Sequence, residues 1–305
     1  MSLDYKLVMY QAPQGLRAGL VLDGAVFDVA TLTGNASYAT TLGILGDWDA
    51  AQPALELAAR KTNGGLPLEK TRLLAAVLYP SAVYCAGANY ADHLQEMARA
   101  QKIQVAADPR SEMQKPWHFL KAPRSVVGTQ AAVALPAHAQ MVDWEAELAA
   151  VIGRPAKNVS ERNALEHVAG YTIGNDLSAR DAMSRTSLPP TSPFRFDWLS
   201  QKSFDGACPL GPWLVPAKQI PNPQSLGIKL WVNDVLKQDS NTGKMIFSIA
   251  EQIAFLSTRI TLYPGDVVLT GTPAGVGMAR GEYLKRGDVV RVWVEGIGTL
   301  INTMA

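Results

Sequence analysis

The chain contains little cysteine and little histidine, with two and four residues respectively out of 305. Its two cysteines, Cys85 and Cys208, lie far apart and form no C-x-x-C pair. This spacing excludes a dense disulfide framework and gives no support to a zinc knuckle. We therefore expect both thiols to be reduced and buried.

Charged residues are balanced in sign and are not clustered. The sequence has 28 Lys and Arg against 27 Asp and Glu, and it contains no block of about five or more like charges. Proteins that bind nucleic acid or an anionic surface usually carry a concentrated basic patch. We therefore expect neither nucleic acid nor membrane lipid as a partner.

Long apolar runs are also missing. The sequence has no stretch of about 18 apolar residues, which a membrane-spanning helix would need. The first residues, MSLDYKLVMYQAPQG, lack the basic region followed by an apolar region that marks a secretory signal. We expect a cytoplasmic protein that does not span a membrane.

Short apolar segments separated by glycine and proline are abundant. Hydrophobic residues make up 48% of the chain, and 25 glycines and 19 prolines divide them into runs of strand length. A helix is predicted over 48–61, and TNGGLP at 62–67 is the best candidate for a linker. Strand-like runs outnumber helix-like runs, so we predict a mainly β fold (α+β) of barrel or rolled-sheet type with a few helices.

The stretch MVDWEAELAAVIG places two acids in a run that is otherwise typical of a buried strand. Residues two apart point to the same face of a strand, so Glu145 and Glu147 would lie side by side. A third acid, Asp176, follows the apolar run GYTIGN. Buried carboxylates repel one another unless a cation lies between them, and three of them favour Mg²⁺, Mn²⁺ or Ca²⁺. The alternative is that the acids face solvent or pair with Arg154 or Arg180.

The stretch GANYADHLQEMARA predicts a helix, with Asn89 as its N-cap and Asp92 three positions later. His93 and Glu96 are three apart and so adjacent on the helix surface. The carboxylate can orient the imidazole and raise its basicity, which suits a general base. The alternative is a solvated helix face on which the two side chains have no catalytic role.

Eight motifs, in this order along the chain, resemble those of the fumarylacetoacetate hydrolase family, most closely its smaller acylpyruvase-like branch. They are GANYADHLQEM, FLKAPRSVVG, DWEAELAAVIGR, GYTIGNDLSARD, KSFDGACPLGP, VNDVLKQ, KMIFSI and PGDVVLTGTPAGVG. The resemblance covers about Leu78 to Thr303. It implies a mixed β-roll or barrel core over 71–305, a small N-terminal α/β domain over 1–70, and a homodimer.

The resemblance also implies a metal and its ligands. Glu145, Glu147 and Asp176 match the carboxylates that hold Mg²⁺ or Mn²⁺ in the family. Oxygen ligands suit both ions, so the choice between them stays open.

The resemblance further implies catalytic groups. His93 and Glu96 match the family's catalytic dyad, and Lys202 in QKSFDGACP matches its active-site lysine. The helix that carries the dyad would belong to a mobile lid over 89–117, a length that fits a segment closing over substrate.

Two more residues are expected to bind substrate or to organise the site. Arg180 would orient the site or pair with the acids, and Thr272 in TGTPAGVG would present its hydroxyl or backbone N–H to a substrate carboxylate. The alternatives are a structural salt bridge and a tight barrel turn. Met183 stands where many relatives have glutamine, so substrate contacts there must differ.

These roles predict hydrolysis of a carbon–carbon bond in a 2,4-dioxo acid. The substrate would be an acylpyruvate such as fumaryl- or maleylpyruvate, or a sugar-derived diketo acid, cleaved to pyruvate and a carboxylic acid in the breakdown of aromatic compounds or sugar acids. His93 would activate water and Lys202 would stabilise the oxyanion. The alternatives are isomerisation, decarboxylation or hydration through the same enolate, and a non-catalytic protein that uses the ion structurally.

Overall fold

The computed structural model describes residues 4–102, 104, 106 and 108–305. The strands in these residues are β1 Lys6–Ala12, β2 Gly15–Leu22, β3 Ala25–Asp28, β4 Leu66–Pro67, β5 Val83–Ala86, β6 His118–Lys121, β7 Val126–Val127, β8 Ala132–Val133, β9 Val142–Asp143, β10 Ala146–Ile152, β11 Val168–Asn175, β12 Ser178–Ala179, β13 Cys208–Pro216, β14 Gly227–Val232, β15 Val235–Asn241, β16 Val267–Leu269, β17 Val289–Val294 and β18 Gly298–Met304. The α-helices are α1 Val29–Thr33, α2 Thr41–Leu45, α3 Trp48–Ala59, α4 Ala91–Gln101, α5 Pro109–Met113, α6 Glu161–Ala164, α7 Trp198–Lys202 and α8 Ile249–Arg259.

The strands form two large sheets and one small one. The first has eleven strands in the order β4-β3-β2-β1-β13-β11-β10-β16-β5-β6, with β7 also paired to β13, and the second has the order β15-β14-β17-β18-β8. Most neighbours are antiparallel, whereas β16 with β5, β18 with β8 and β13 with β7 are parallel. The small sheet consists of β9 and β12. This arrangement confirms the predicted mainly β fold with mixed sheets and a few helices.

The central strands of the first sheet are covered on both faces. Every residue of β10 and of β11 is buried, and both sequences are nearly continuous apolar runs, as expected for strands packed on both sides. By contrast, β14 alternates between buried and half-buried residues, so only one of its faces packs against the core. The two strands that position the acids, β10 and β11, are therefore buried on both faces.

The first strands of the chain extend the same sheet. β1 pairs with β13, with Leu7 opposite Leu214, and the N-terminal helices pack in one hydrophobic cluster with residues such as Cys85 and Leu210. The predicted helix over 48–61 is present as α3. The segment proposed as a linker ends in β4, which pairs with β3. The division into 1–70 and 71–305 stays a prediction.

Two expectations from the composition can be compared with the structure. Cys85 and Cys208 are both free and buried, as predicted. Among the described residues, no helix has the length and apolar character needed to cross a membrane.

The buried strand β10 supplies a test of the core. Leu148 is fully buried in it, whereas Leu57 on α3 is 55% exposed. Leu148→Ala should lower the free energy of unfolding by about 2–5 kcal/mol because it leaves a cavity, and Leu57→Ala should change it by about 0.5 kcal/mol or less. Urea unfolding measures both values, and equal losses in the two variants would contradict the described packing.

Candidate active site

Strand pairing brings the three predicted metal ligands together. Glu147 lies in β10, Glu145 lies just before it, and Asp176 directly follows β11. The two strands pair so that Ala146 is opposite Asn175, and the backbone N–H of Asp176 donates to the carbonyl of Glu145 at 2.9 Å. One carboxylate oxygen from each acid lies within 4.8 Å of the others, and all three side chains are buried.

Two cations that the sequence singled out contact these acids directly. The Nζ of Lys202 lies 3.0 Å from Oε2 of Glu145 and 2.8 Å from Oδ2 of Asp176. Arg180 donates to Oε1 of Glu145 at 2.5 Å. The predicted alternative that Arg180 pairs with the acids is therefore observed, whereas Arg154 pairs elsewhere, with Asp49.

A third cation, Lys121, belongs to the site and was not predicted from the sequence. It ends β6, is fully buried, and its Nζ donates to Oδ1 of Asp176 at 2.6 Å and to the carbonyl of Leu177 at 3.0 Å. The signal available was a single lysine in the motif FLKAPRS, between apolar residues and a proline. A buried lysine needs an anionic partner, so its position pointed to a nearby carboxylate.

Asp143 is a fourth buried acid of the site and was also not predicted. It lies in β9, and its partner strand β12 leads directly into Arg180. Arg180 donates to Oδ2 of Asp143 at 2.9 Å, and the backbone N–H groups of Gly277 and Met278 donate to the same carboxylate at 2.6 and 3.0 Å. Asp143 thereby holds Arg180 against the site and fixes the turn at Gly277.

Glu147 has the weakest compensation of the four acids. Its Oε2 accepts a hydrogen bond from the backbone N–H of Gly271 at 2.7 Å, whereas its buried Oε1 has no hydrogen-bond partner. Burial and, to a smaller extent, the negative charges of Asp176 and Glu145 raise the pKa of Glu147 well above its usual value. A buried carboxylate oxygen without a donor is costly, which indicates a cationic ligand there.

In Glu145, unlike Glu147, the neighbouring cations outweigh the effect of burial on the pKa. Burial by itself raises its pKa, but Lys202 and Arg180 outweigh that effect, so the pKa lies well below the usual value. Burial likewise disfavours the charged form of Lys202, and the charges of Asp176 and Glu145 nevertheless raise the pKa of Lys202 above its usual value. Glu145 is therefore ionised before any metal binds.

The donor set fits a hard divalent cation. Among the described residues the site has four buried carboxylates, of Asp143, Glu145, Glu147 and Asp176, and three cationic side chains, of Lys121, Arg180 and Lys202. The three cations form ion pairs with all of these acids except Glu147. The site thus lacks one positive charge when all the acids are ionised. Oxygen-only ligands are those that Mg²⁺ and Mn²⁺ prefer. Glu145, Glu147 and Asp176 are the residues that would hold the ion.

The predicted dyad lies on α4. The Nδ1 of His93 is 3.8 Å from Oε2 of Glu96, too long for a hydrogen bond, and Glu96 accepts one from the N–H of Gly275 at 2.8 Å. Burial raises the pKa of Glu96, but nearby His93 and that N–H outweigh burial and lower it. Glu96 is thus an anion beside the imidazole.

The predicted N-cap of this helix is wrong. The N-cap residue of α4 is Tyr90, without a side-chain capping bond. Asn89 instead donates to the carbonyls of Phe247 and Thr270 at 2.9 and 2.8 Å and accepts from the N–H of Phe247. Asp92 accepts from Ser240 at 2.7 Å. These bonds tie the start of α4 to the segment after β16, to the segment before α8 and to β15 of the second sheet.

The predicted lid over 89–117 contains α4 and α5, and its residues 103, 105 and 107 lie outside the described residues. In α5, Arg110 forms a two-bond contact with Glu251 of α8 at 2.7 and 3.0 Å. Movement of this segment stays a prediction.

Thr272 lies on the turn that follows β16. Its hydroxyl accepts a hydrogen bond from Gln238 at 2.9 Å, and Gln238 in turn accepts from the N–H of Ala146 at 2.9 Å. Gly271, next to Thr272, has a φ of 98°, and a Cβ there would lie 2.8 Å from that of Asn89. A glycine is therefore required for the turn to approach both Glu147 and Asn89.

A cavity of about 280 Å³ joins these groups. Five predicted site residues line it: His93, Glu145, Arg180, Lys202 and Thr272. Glu147 and Asp176 do not line the cavity, but each places a carboxylate oxygen within 4.8 Å of one of Glu145. The other side chains that line it are mostly apolar: Met97, Trp117, Phe119, Met183, Trp198, Gln201 and Met278. A small molecule in this cavity would contact Glu145 at the acidic end and His93 of the dyad.

Comparison with known proteins identifies the class to which this fold and site belong. The model of the fumarylacetoacetate (FAA) hydrolase C-terminal family matches residues 82–305. The chain belongs to the fumarylacetoacetate hydrolase family, as the motifs predicted.

The individual relatives are named for different activities. The chain is 38% identical to the mitochondrial oxaloacetate tautomerase Fahd2a of Rattus norvegicus, over 98% of this chain and 91% of the relative. It is 28% identical to the maleylpyruvate hydrolase of Sphingobium sp. SYK-6, solved with manganese(II) and pyruvate, with a TM-score of 0.76 and 98% of both chains covered. It is 30% identical to a 2-hydroxyhepta-2,4-diene-1,7-dioate isomerase of Mycobacterium marinum, with a TM-score of 0.71 and 99% and 98% covered.

These relatives define the function at a coarse level. The chain is a member of an enzyme family that includes tautomerases, isomerases and hydrolases. A relative of the same fold has been solved with Mn²⁺, and this chain has a buried acidic triad able to hold such an ion.

The raised pKa of Glu147 predicts how metal binding depends on pH. We expect the affinity for Mn²⁺ to rise with pH, because the Glu147 carboxyl must release its proton before it can bind the ion. Glu147→Gln should lower the affinity by about a hundredfold, since even groups that only support metal ligands contribute about 10–100-fold. Calorimetric titration at several pH values measures both effects.

Glu282→Gln is the matched control, because this glutamate lies at the surface and pairs with Lys237. It should bind Mn²⁺ like the unmodified protein. Unchanged Mn²⁺ affinity in Glu147→Gln would show that Glu147 is not a ligand.

Proposed function

We propose that this protein is a metal-dependent tautomerase that interconverts the enol and keto forms of a small 2-oxo acid such as oxaloacetate. The observation that carries this assignment is that Glu145 of the buried acidic triad and His93 of the dyad line one cavity. A site of this kind can bind the oxygen atoms of a 2-oxo acid at one end and exchange a proton with its C3 carbon at the other.

A divalent ion held by Glu145, Glu147 and Asp176 would supply Lewis-acid stabilisation of the negative charge that develops on the 2-oxo oxygen. We propose Mg²⁺ or Mn²⁺ as this ion. The structure of the maleylpyruvate hydrolase contains Mn²⁺, and Mg²⁺ accepts the same oxygen ligands.

His93 is the proton-transfer group of this proposal. Its Nδ1 is on the side of Glu96, so Nε2 is the ring nitrogen left for the substrate. In the keto-to-enol direction, the neutral imidazole accepts the C3 proton, and the imidazolium returns a proton to the 2-oxo oxygen. The Glu96 carboxylate stabilises the imidazolium between these two transfers.

Lys202 and Arg180 hold the acidic end in one geometry. Both cations contact Glu145, and each also contacts a second acid, Asp176 or Asp143. These bonds are charge-assisted and buried, which fixes the carboxylates before the substrate arrives. Thr272 adds a hydroxyl at the same end of the cavity.

Tautomerisation is favoured over the predicted carbon–carbon hydrolysis by the named relatives. Tautomerases from Rattus norvegicus and Homo sapiens are 38% and 36% identical to this chain, over 98% and 99% of it. Tautomerisation needs proton transfer without an attacking water. It is one case of the isomerase alternative raised from the sequence.

The test is to follow enol-oxaloacetate by its ultraviolet absorbance after dilution into buffer with Mg²⁺. We expect the protein to accelerate loss of the enol, and a chelator to remove most of that acceleration. His93→Gln should lower kcat by about 100-fold or more, the usual contribution of a positioned general base.

His138→Gln is the control for the loss of one imidazole, because His138 is exposed in a loop and does not line the cavity. It should keep the unmodified rate. A His93→Gln variant as fast as His138→Gln would exclude His93 as the proton-transfer group.

Hydrolysis of an acylpyruvate is the second candidate, and the cavity supports it. Its carboxylate end is fully buried, yet it continues along Phe119 to Trp117 and Trp198, which are 44% and 38% exposed. A four-carbon acid has no group to place along that wall. In this reaction His93 takes a proton from water and the water oxygen bonds to C4. The C3–C4 bond then breaks, its electron pair leaves with C3 as the pyruvate enolate, and the imidazolium returns the proton to C3.

Hydrolysis is tested by measuring pyruvate. A panel of 2,4-dioxo acids is incubated with the protein and Mg²⁺, and lactate dehydrogenase reports the pyruvate formed. Pyruvate in proportion to substrate lost would establish a hydrolase. If the protein accelerates the loss of enol-oxaloacetate but releases no pyruvate from any 2,4-dioxo acid, hydrolysis is excluded and tautomerisation is the remaining proposal.

A further inference from the structure

Three aromatic side chains form a continuous wall along the outer part of the cavity. The ring centroids of Trp117 and Trp198 are 4.9 Å apart, those of Phe119 and Trp198 are 5.5 Å apart, and those of Trp117 and Phe119 are 5.8 Å apart. We call these three residues the aromatic wall. Such spacings are those of favourable aromatic pairs, so the rings support one another.

The wall begins at the acidic end and reaches the surface. The Nζ of Lys202, which contacts Glu145 and Asp176, lies 4.8 Å from the centroid of the Phe119 ring. Trp117 and Trp198 are substantially exposed, whereas the acids are buried. A ligand with its carboxylate at the acidic end would therefore extend its far end along the rings.

Gly87 shapes the wall. A Cβ at this position would lie 2.1 Å from two ring atoms of Trp117, and the N–H of Gly87 donates to the carbonyl of Trp117 at 3.0 Å. The φ of Gly87 is not in the left-handed region, so the contact with the indole, and not backbone strain, is what favours glycine. The Trp117 ring can lie this close to the backbone of position 87 only because that position has no side chain.

The remaining apolar side chains extend the same surface. Met97, Met183 and Met278 are half-buried and line the cavity. Methionine is flexible and polarisable, and it adapts well to aromatic ligands. Met183 therefore provides an apolar contact in this chain.

The wall offers no partner to a second carboxylate. Among the described residues that line the cavity, the cations are Arg180 and Lys202, and both are engaged by the buried acids. His93 faces Glu96. A carboxylate at the outer end would gain no charged partner from the cavity lining, whereas an apolar group there would cover the exposed rings, which is favourable.

We propose that, among 2-oxo acids longer than four carbons, this site selects those that end in an aryl or another bulky uncharged apolar group over those that end in a second carboxylate. This inference rests on the proposed function, since it takes the 2-oxo acid end of the ligand to lie at the acids. The aromatic wall is the specificity-determining element, and Gly87 positions it.

The experiment compares 2,4-dioxo-4-phenylbutanoate with fumarylpyruvate, which has a similar length but ends in a carboxylate. Binding is measured by calorimetry in excess Mg²⁺ with the His93→Gln variant, so that neither acid is consumed, and kcat/KM is measured with the unmodified protein. We expect the phenyl compound to bind about tenfold more tightly, the size of effect that aromatic contacts give.

Substitutions in the wall should remove this preference. Trp198→Ala and Gly87→Ala, which displaces Trp117, should each lower the preference by about fivefold and leave the affinity for oxalate unchanged. Leu199→Ala is the matched control, because Leu199 is adjacent on α7, is 69% exposed and does not line the cavity.

Equal affinity for the two acids, or tighter binding of fumarylpyruvate, would overturn the inference. So would a Trp198→Ala variant that keeps the full preference. Failure of the proposed function gives a different result, in which oxalate does not bind in the presence of Mg²⁺ and no 2-oxo acid is turned over. If oxalate binds but turnover is absent, the calorimetric ratio still decides the specificity.

Discussion

Mutual repulsion of buried carboxylates is the constraint on which the rest of the site depends. Glu145, Glu147 and Asp176 are buried and come within a few ångströms of one another, and like charges so placed repel one another unless cations accompany them. Lys121, Lys202 and Arg180 satisfy part of this demand and leave Glu147 with an unpartnered oxygen. The arrangement is rigid because each cation contacts two acceptors. It lacks a positive charge next to Glu147, which a divalent ion would supply.

The same constraint links the site to the sheets. β10 and β11 bring the acids together, β9 and β12 deliver Asp143 and Arg180, and β6 and α7 deliver the two lysines. Helix α4 is anchored to this framework through Asn89, whose amide bonds to two carbonyls of separate segments. A substrate-sized cavity with a charged inner end and an aromatic outer end therefore results from several distant parts of the chain.

Much of the site was predictable where residues are close in sequence. The spacing of two between Glu145 and Glu147 was enough to place them on one side of a strand, and the spacing of three between His93 and Glu96 put them together on a helix. The mainly β fold followed from short apolar runs divided by glycine and proline. The role of Asn89 was not predictable, because the same residue type suits a helix cap and a bridge between loops, and only the packing of Phe247 and Thr270 selects the second.

The sequence by itself determined the kinds of ligand atoms available, the local pairings and the family, because these depend on residue type, short spacing and motif order. The tertiary structure alone decided which distant charges meet. Lys121 and Asp176 are 55 positions apart, Arg180 and Asp143 are 37 apart, and the rings of Trp117 and Trp198, which are distant in sequence, pack against each other. No local pattern encodes such contacts, since they arise from strand order and from the burial that makes an unpaired charge too costly to keep.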